Sequence, residues 1–161
     1  MDSVDIGFIL NGREHKRAVR PNQILVELLR GDLGLLGTKV GCDQAVCGAC
    51  TVLVDGDPVA ACATFAFEID GREVRTIEGM ADEQLHPVQQ AFVDNAAFQC
   101  GFCTSGMILL ATSLLERDDD PDQATIREWL SANICRCTGY MMIVEAVAEA
   151  AKTMRKRAPG S

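Results

Sequence analysis

The sequence predicts an α+β protein with a strand-rich N-terminal half and a helical C-terminal half. Three observations carry this prediction. Apolar residues alternate with other residues from Val4 to Leu10, which is the pattern of a strand. Apolar residues recur three to four positions apart from Met107 to Leu115, which is the spacing of one helix face. The eight cysteines of the chain divide into one group in each half.

The N-terminal half is predicted to form strands around a single helix. Asn11-Gly12 follows the first alternation and is a strong signal for a hairpin turn. Pro21-Asn22 opens a short helix that ends near Gly31. We predict strands at residues 4–10, 14–20, 51–54, 59–62 and 73–77, and the 59–62 strand carries the fourth cysteine, Cys62. Strands around one helix, with a metal loop at the edge, fit a small ferredoxin-like β-grasp fold.

The C-terminal half is predicted to contain helices only. The first includes Val88 and Phe92, and the second covers 107–115. Asp122 is a candidate N-cap of the third, although Thr125-x-x-Glu128 would also serve as a capping box. The last helix carries apolar residues from Ile143 to Ala151. We therefore predict one domain at 1–78, a linker at 79–85, a second domain at 86–155 and a tail at 156–161.

Charge and hydropathy exclude several classes of partner. The formal net charge is −8 at pH 7, which argues against binding to nucleic acid or to an anionic membrane. The longest apolar run, Met107 to Leu115, is far too short to span a bilayer. The first residues lack a basic segment followed by an apolar one, so we expect a cytoplasmic protein.

The apolar fraction of the chain is high. Counting glycine but not tyrosine as apolar gives roughly 56%, against roughly 45–50% for soluble domains. A Gly- and Ala-rich chain with a good core would explain this value. A subunit that buries part of its surface against partners would explain it equally well.

The cysteine spacing indicates metal or redox chemistry, because a reducing compartment does not maintain disulfides. Each group supplies four thiolates, the number that closes one [2Fe–2S] cluster. The C-x4-C-x2-C spacing of the first group is that of plant-type ferredoxins. The first group comprises Cys42, Cys47, Cys50 and Cys62, and the second comprises Cys100, Cys103, Cys135 and Cys137.

The first cysteine loop contains glycines that suit a bound anionic cluster, and the second group leaves zinc as an alternative. Gly41 and Gly48 allow backbone N–H groups to approach the sulfurs as a nest. Zinc accepts the same four-cysteine set, so the spacing of the second group leaves a structural zinc site open. The first group has poor spacing for zinc.

Three segments resemble the signatures of one family, the iron–sulfur subunits of the molybdenum hydroxylases of the xanthine dehydrogenase and aerobic carbon monoxide dehydrogenase type. The segments are Gly41–Thr51, Gln99–Met107 and Asn133–Tyr140. They occur in the expected order and hold seven of the eight cysteines. The resemblance covers the chain from about Val4 to Lys152.

The resemblance implies a plant-type ferredoxin-like domain followed by a four-helix-bundle domain, each with one [2Fe–2S] cluster. It implies a large partner chain with molybdopterin, expected in a dinucleotide form, a medium chain with FAD, and a dimer of heterotrimers. Electrons would pass from molybdenum to the cluster of the helical domain, then to the N-terminal cluster and then to flavin. By the same resemblance, Gln99 and Cys137 lie against the pterin of the partner chain.

One position departs from the family pattern. Ser105 stands where the family usually has proline, at the start of a predicted helix. Serine can cap that helix or occupy the same turn, so we expect a small change in stability and no change in function.

The sequence contains no Ser-His-Asp set and no phosphate-binding glycine loop, so we expect redox centres on this chain and substrate chemistry on another. His86 is expected to have a surface or capping role. The main hypothesis is an electron-transfer subunit of a molybdenum hydroxylase. A free-standing two-cluster ferredoxin and a zinc-stabilised interaction protein are the alternatives.

Overall fold

The computed structural model describes residues 3–157, with Arg157 described by its backbone alone. Residues 1–2 and 158–161, which include most of the predicted tail, lie outside the described residues. Within the described residues, none of the helices has the length and apolar character that crossing a membrane requires.

A five-stranded mixed sheet forms the N-terminal part, with the strand order β2-β1-β5-β3-β4. β1 pairs antiparallel with β2 and parallel with β5, and β3 pairs antiparallel with both β4 and β5. This topology confirms the predicted ferredoxin-like β-grasp. The strands are β1 (Val4–Leu10), β2 (Arg13–Val19), β3 (Thr51–Val54), β4 (Asp57–Ala60) and β5 (Glu73–Arg75).

One helical segment packs on this sheet. It begins as α1 (Leu25–Glu27) and continues as a π-helical turn over Leu28–Asp32. Its buried leucines share a hydrophobic core with Phe8 and the other inward side chains of β1. The segment that carries the first three cysteines runs from the end of this helical segment to β3.

The prediction that a strand carries Cys62 is wrong. The turn at Asp55-Gly56 starts β4 immediately at Asp57, and β4 ends at Ala60. The amide of Ala63 then donates to the carbonyl of Ala60, so the chain turns around Cys62. This turn leaves the Cys62 thiol buried beside the core.

Four helices form the C-terminal part, as predicted. The central helix differs from the prediction in its environment: every side chain from Gly106 to Leu115 is buried, where the sequence indicated one buried face. It packs against β3 and β4 of the sheet on one side and against neighbouring helices on the others. The helices are α2 (Pro87–Asp94), α3 (Thr104–Leu115), α4 (Gln123–Leu130) and α5 (Met141–Arg157).

The helix caps follow the local sequence. Asp122 caps α4, accepting the amide of Thr125 at 2.7 Å, and this bond lowers the pKa of the Asp122 carboxyl. His86 caps α2, with Nδ1 accepting the amide of Val88 at 3.3 Å. Ser105, by contrast, does not cap α3, because its hydroxyl donates to a carbonyl of the N-terminal part.

Candidate iron–sulfur centres

The thiol of Cys42 is the focus of the first cysteine group. The backbone amides of Gln44, Val46 and Cys47 each donate to Cys42 Sγ at 3.3 Å. The bonds from Cys47, then Val46 and Gln44, lower the pKa of Cys42 to about 7, because N–H donors favour the thiolate. The loop therefore presents its amides to an anionic sulfur.

The backbone of this loop turns sharply enough to aim a further amide at another ligand. Asp43 and Ala45 both adopt positive φ, 57° and 55°, and Gly48 has φ 68°. The amide of Ala45 donates to Cys62 Sγ at 3.3 Å. Consecutive N–H groups directed inwards by such turns form an anion-binding nest. The sequence predicted a nest from Gly41 and Gly48, but Gly41 does not adopt positive φ, and the turns lie at Asp43 and Ala45.

The four thiols of the first group approach one another as two pairs. Cys42 contacts Cys47, and Cys50 contacts Cys62 through their side chains. Cys50 and Cys62 are buried, and burial raises the pKa of Cys50 to about 11. A thiolate at this buried position needs positive charge beside it, which a bound metal supplies.

The second group has the same paired arrangement at the N-terminal end of α3. Cys137 Sγ and Cys100 Sγ are 3.6 Å apart, and Cys103 contacts Cys135. Burial raises the pKa of Cys103 to about 12. Burial also acts to raise the pKa of Cys135, but hydrogen bonds from Thr138, Cys137 and Cys103 together outweigh it and hold the pKa below its ordinary value. Thr138 Oγ1 lies 3.2 Å from Cys135 Sγ.

This pairing fits a two-iron cluster in each group. A [2Fe–2S] cluster takes two thiolates on each iron, and each group offers two such pairs. Among residues 3–157, no three His, Cys, Asp or Glu side chains converge as the ligands of a single metal ion would. The donor amides of the first loop and the Thr138 hydroxyl supply hydrogen bonds to sulfur of the kind that tunes cluster potentials.

Tyr140 fixes the second cysteine loop from below. Its hydroxyl accepts the amide of Cys135 at 2.8 Å and donates to the carbonyl of Asn133 at 3.2 Å. The amide of Tyr140 in turn donates to Thr138 Oγ1 at 3.2 Å. The Tyr140 side chain therefore satisfies one backbone group of Asn133 and one of Cys135.

Gln99 and Cys137 lie together at the exposed edge of the second group. Gln99 Nε2 donates to the backbone oxygen of Cys137 at 3.1 Å, and both residues are exposed. Two large apolar side chains close to these residues in sequence are also exposed, Phe98 to 43% and Met141 to 63%. The structure thus brings together the two residues that the resemblance assigned to the pterin.

A cleft of about 300 Å³ lies between the two cysteine groups. It is walled by the apolar side chains of Phe102 and Ile134, both of which are partly exposed. A Cβ atom at Gly41 would lie 3.0 Å from Cys47 Sγ, so the absence of a side chain at Gly41 keeps the cleft open. The cysteines that line it are Cys42, Cys47, Cys100, Cys103, Cys135 and Cys137.

The two cysteine loops contact each other through backbone atoms. The amide of Ile134 donates to the carbonyl of Cys47 at 2.9 Å. A Cβ atom at Gly106 would lie 2.4 Å from the carbonyl oxygen of Gly48, and one at Gly48 would lie 1.6 Å from Asn133 Oδ1. Only glycine permits this close approach of α3 to the first loop.

Sequence reasoning identified all eight cysteines but missed the residues that hold them. Thr138 donates to Cys135 Sγ, the Tyr140 hydroxyl accepts the amide of Cys135, and Asn133 Oδ1 accepts the hydroxyl of Thr51 at the start of β3. Asn133, Thr138 and Tyr140 each lie within five residues of Cys135, inside a segment that the sequence marked for its cysteines alone. Proximity to a ligand was the available signal, although it does not specify a partner.

Two family descriptions match the chain, and they overlap in its middle. Residues 32–100 match a "2Fe-2S iron-sulfur cluster binding domain", and residues 76–148 match a "[2Fe-2S] binding domain". The matches contain all eight cysteines between them. The helical part matches a [2Fe-2S] family, and this match argues against the zinc site that the spacing of the second group had left open.

The chain is also similar to individual proteins in sequence and in structure. The nicotine 6-hydroxylase small subunit of Paenarthrobacter nicotinovorans is 48% identical over 149 residues, covering 92% of this chain and 90% of that protein. The nicotinate dehydrogenase small FeS subunit of Eubacterium barkeri is 43% identical over 148 residues, covering 91% and 94%. The chain belongs to the small iron–sulfur subunits of the molybdenum hydroxylases. A chain of quinoline 2-oxidoreductase from Pseudomonas putida 86 matches this small subunit with a TM-score of 0.92 at 39% identity, covering 98% of this chain and 99% of that one.

As a small iron–sulfur subunit of a molybdenum hydroxylase, the chain transfers electrons and carries two [2Fe–2S] clusters. The substrate is transformed on a large partner chain. This result favours the main hypothesis over a free-standing two-cluster ferredoxin.

Proposed function

We propose that each cysteine group of this small subunit holds one cluster and that the second group faces the large subunit. The observation that carries the ligand assignment is the meeting of the eight thiols as four pairs, two in each group. The exposure of Cys100 and Cys137 supports a partner at the second group. In this assignment the first cluster is held by Cys42, Cys47, Cys50 and Cys62, and the second by Cys100, Cys103, Cys135 and Cys137.

When bound, each cluster supplies a centre that gains or loses a single electron. The chain's own residues then determine how stable the reduced form is and how close the two centres lie. The amides around Cys42 and the hydroxyl of Thr138 donate to sulfur and stabilise added negative charge. The bond between Ile134 and Cys47 holds the two ligand loops in contact.

We propose that the pterin of the partner chain meets the exposed edge formed by Gln99 and Cys137. The bond from Gln99 Nε2 to the Cys137 carbonyl fixes the side-chain amide beside the ligand. Its amide oxygen is then directed away from that bond and can accept a hydrogen bond from the partner's cofactor. The exposed apolar side chains of Phe98, next to Gln99 in sequence, and Met141, four residues after Cys137, suit burial against a protein surface.

Exposed apolar side chains on this chain support burial against partner chains. We propose a large subunit with a dinucleotide form of molybdopterin, a medium subunit with FAD, a dimer of such heterotrimers, and a cytoplasmic location. Val46, a further large apolar side chain, is 60% exposed in the first cysteine loop and suits burial against a partner. The names of the relatives, which describe them as small subunits, also support the existence of partner chains.

We also propose domain boundaries at 1–78, 79–85 and 86–155, with the tail after 155. Two separate hydrophobic cores support this division. Met80, within the proposed linker, already packs in the helical core. Leu53 of β3 packs there too, so the two domains share a packed interface.

The experiment uses the complex purified with its large subunit, in three forms: wild type, Cys42→Ser and Cys103→Ser. Iron per chain and EPR of the partly reduced complex are measured. We expect about four irons in the wild type and about two in each variant. The magnetic splitting of the Mo(V) signal by a reduced cluster should survive in C42S and disappear in C103S. Splitting that is lost in C42S and kept in C103S would overturn the assignment of the second group to the molybdenum side.

A further inference from the structure

Ser105 forms a hydrogen bond between the helical domain and the segment that leads into the first cysteine loop. Its Oγ donates to the carbonyl oxygen of Gly37 at 2.6 Å. Ser105 lies two residues after Cys103, in the first turn of α3, and Gly37 lies five residues before Cys42. The bond therefore links segments that each carry a proposed cluster ligand.

Gly37 is also held by the last residues of the first domain. Its amide donates to Glu78 Oε1 at 2.7 Å. A Cβ atom at Gly37 would lie 2.2 Å from Ile77 Cγ2, so the backbone here sits directly against the end of the first domain. Three parts of the molecule meet at this glycine: the segment that leads into the first cysteine loop, residues 77–78 at the end of the first domain, and α3.

The carbonyls on either side of Gly37 are held by cationic side chains. Arg30 Nη1 donates to the carbonyl oxygens of Leu36 at 3.0 Å and Thr38 at 2.7 Å. Lys39 Nζ also donates to the Leu36 carbonyl, at 2.7 Å. Of three successive carbonyls, the middle one is bound by Ser105, and this is the only one of these bonds that comes from the helical domain.

We propose that Ser105 is a positioning residue, whose hydroxyl fixes the first cysteine loop against the second cysteine group. Its bond to Gly37 holds one end of the first loop to α3. The bond between Ile134 and Cys47 holds that loop further along. These two bonds anchor the first cysteine loop to the helical domain. Loss of the Ser105–Gly37 bond frees this loop to shift relative to the second cysteine group.

A hydroxyl is required for this role, so the test compares side chains with and without one. Ser105→Ala and Ser105→Pro remove the donor, and proline is compatible with the first turn of a helix. Ser105→Thr retains the donor. Ser113→Ala is the matched control, because Ser113 Oγ donates to the Leu110 carbonyl at 2.8 Å and accepts from Trp129 Nε1 at 3.3 Å, so both of these bonds lie within the helical domain.

The readout is hydrogen exchange of the purified complex, followed at the Ile134 amide and in peptides covering residues 36–42. Removing one hydrogen bond is expected to raise exchange about 2–10-fold at both places in S105A and S105P. S105T and S113A should exchange like the wild type. Faster exchange confined to the first turn of α3, with Ile134 unchanged, would show a local role and overturn the proposal.

A second readout connects the contact to the relay, and this step rests on the proposed ligand assignment. EPR of the fully reduced complex reports the magnetic interaction between the two clusters. In S105A and S105P the interaction should weaken or broaden with iron content unchanged, and S105T should restore it. An interaction identical to the wild type in both variants would overturn the positioning role, whereas a wrong iron count in the wild type would overturn the ligand assignment instead.

Discussion

The amide of Ile134 lies 2.9 Å from the carbonyl oxygen of Cys47 and donates a hydrogen bond to it. Cys47 is a proposed ligand of the first cluster, and Ile134 directly precedes Cys135, a proposed ligand of the second. A single hydrogen bond therefore joins the loop that holds the first cluster directly to the loop that holds the second. An electron relay needs such a short and fixed separation, and several side chains maintain it.

Gly106→Ala is expected to disrupt the contact between α3 and the first cysteine loop. The new Cβ would lie 2.4 Å from the backbone oxygen of Gly48, and backbone cannot move away cheaply. We expect a loss of about 1–3 kcal/mol in the free energy of unfolding. Thermal or denaturant unfolding measures it, with Gly31→Ala as the control, since nothing lies within 4 Å of a Cβ there. Equal stabilities of the two variants would contradict the close approach.

Thr138→Val is expected to lower the midpoint potential of the second cluster. The Thr138 hydroxyl donates to Cys135 Sγ at 3.2 Å and stabilises the more negative reduced form. Loss of one hydrogen bond corresponds to about 20–65 mV for a one-electron couple. A potentiometric EPR titration should show this fall in one signal only, and Thr138→Ser should retain the wild-type value. A shift of both signals, or of neither, would contradict the assignment.

Tyr140→Phe is expected to loosen the second cysteine loop. The variant leaves the amide of Cys135 and the carbonyl of Asn133 without their shared partner. An unpaired, partly buried backbone group costs about 1–3 kcal/mol. We expect faster loss of iron to a chelator and a lower unfolding temperature than for the wild type. If iron is retained as tightly as in the wild type, the hydroxyl has no supporting role.

The ion pair between Arg75 and Glu116 should contribute modestly to the contact between domains. Arg75 binds both carboxylate oxygens of Glu116, at 2.6 and 2.9 Å, and joins β5 to the end of α3. Both side chains are partly exposed, so Glu116→Gln should cost about 0.3–1 kcal/mol at low salt and less at high salt. Glu27→Gln, which breaks a more exposed pair with Arg20 inside one domain, serves as the control. A loss in E116Q that does not diminish with salt would argue against an ionic contribution.

The sequence predicted most of the fold because its signals are local. Strand alternation, the Asn11-Gly12 turn and helical spacing depend on neighbouring residues, and the observed elements follow them. The end of β4 before Cys62 was missed, because the turn there is fixed by the Ala63 to Ala60 bond and by burial of the thiol. The sequence of α3 indicated one buried face, and no local pattern showed that the opposite face is also buried, against the sheet.

The candidate site divides in the same way. Cysteine spacing identified the ligand-bearing positions, since a small cluster requires thiolates close together in sequence. The contacts from Ser105 to Gly37 and from Thr51 to Asn133 join residues 68 and 82 positions apart. No periodicity or spacing encodes such contacts, which arise only when the two domains pack together.

The most direct test of the account is the metal content and EPR spectrum of the dithionite-reduced complex, purified anaerobically with its large subunit. We predict about four irons for each small subunit and two distinct rhombic signals from two inequivalent [2Fe–2S] clusters. About two irons with one zinc, and a single signal, would contradict it, because the second cysteine group would then hold no redox centre.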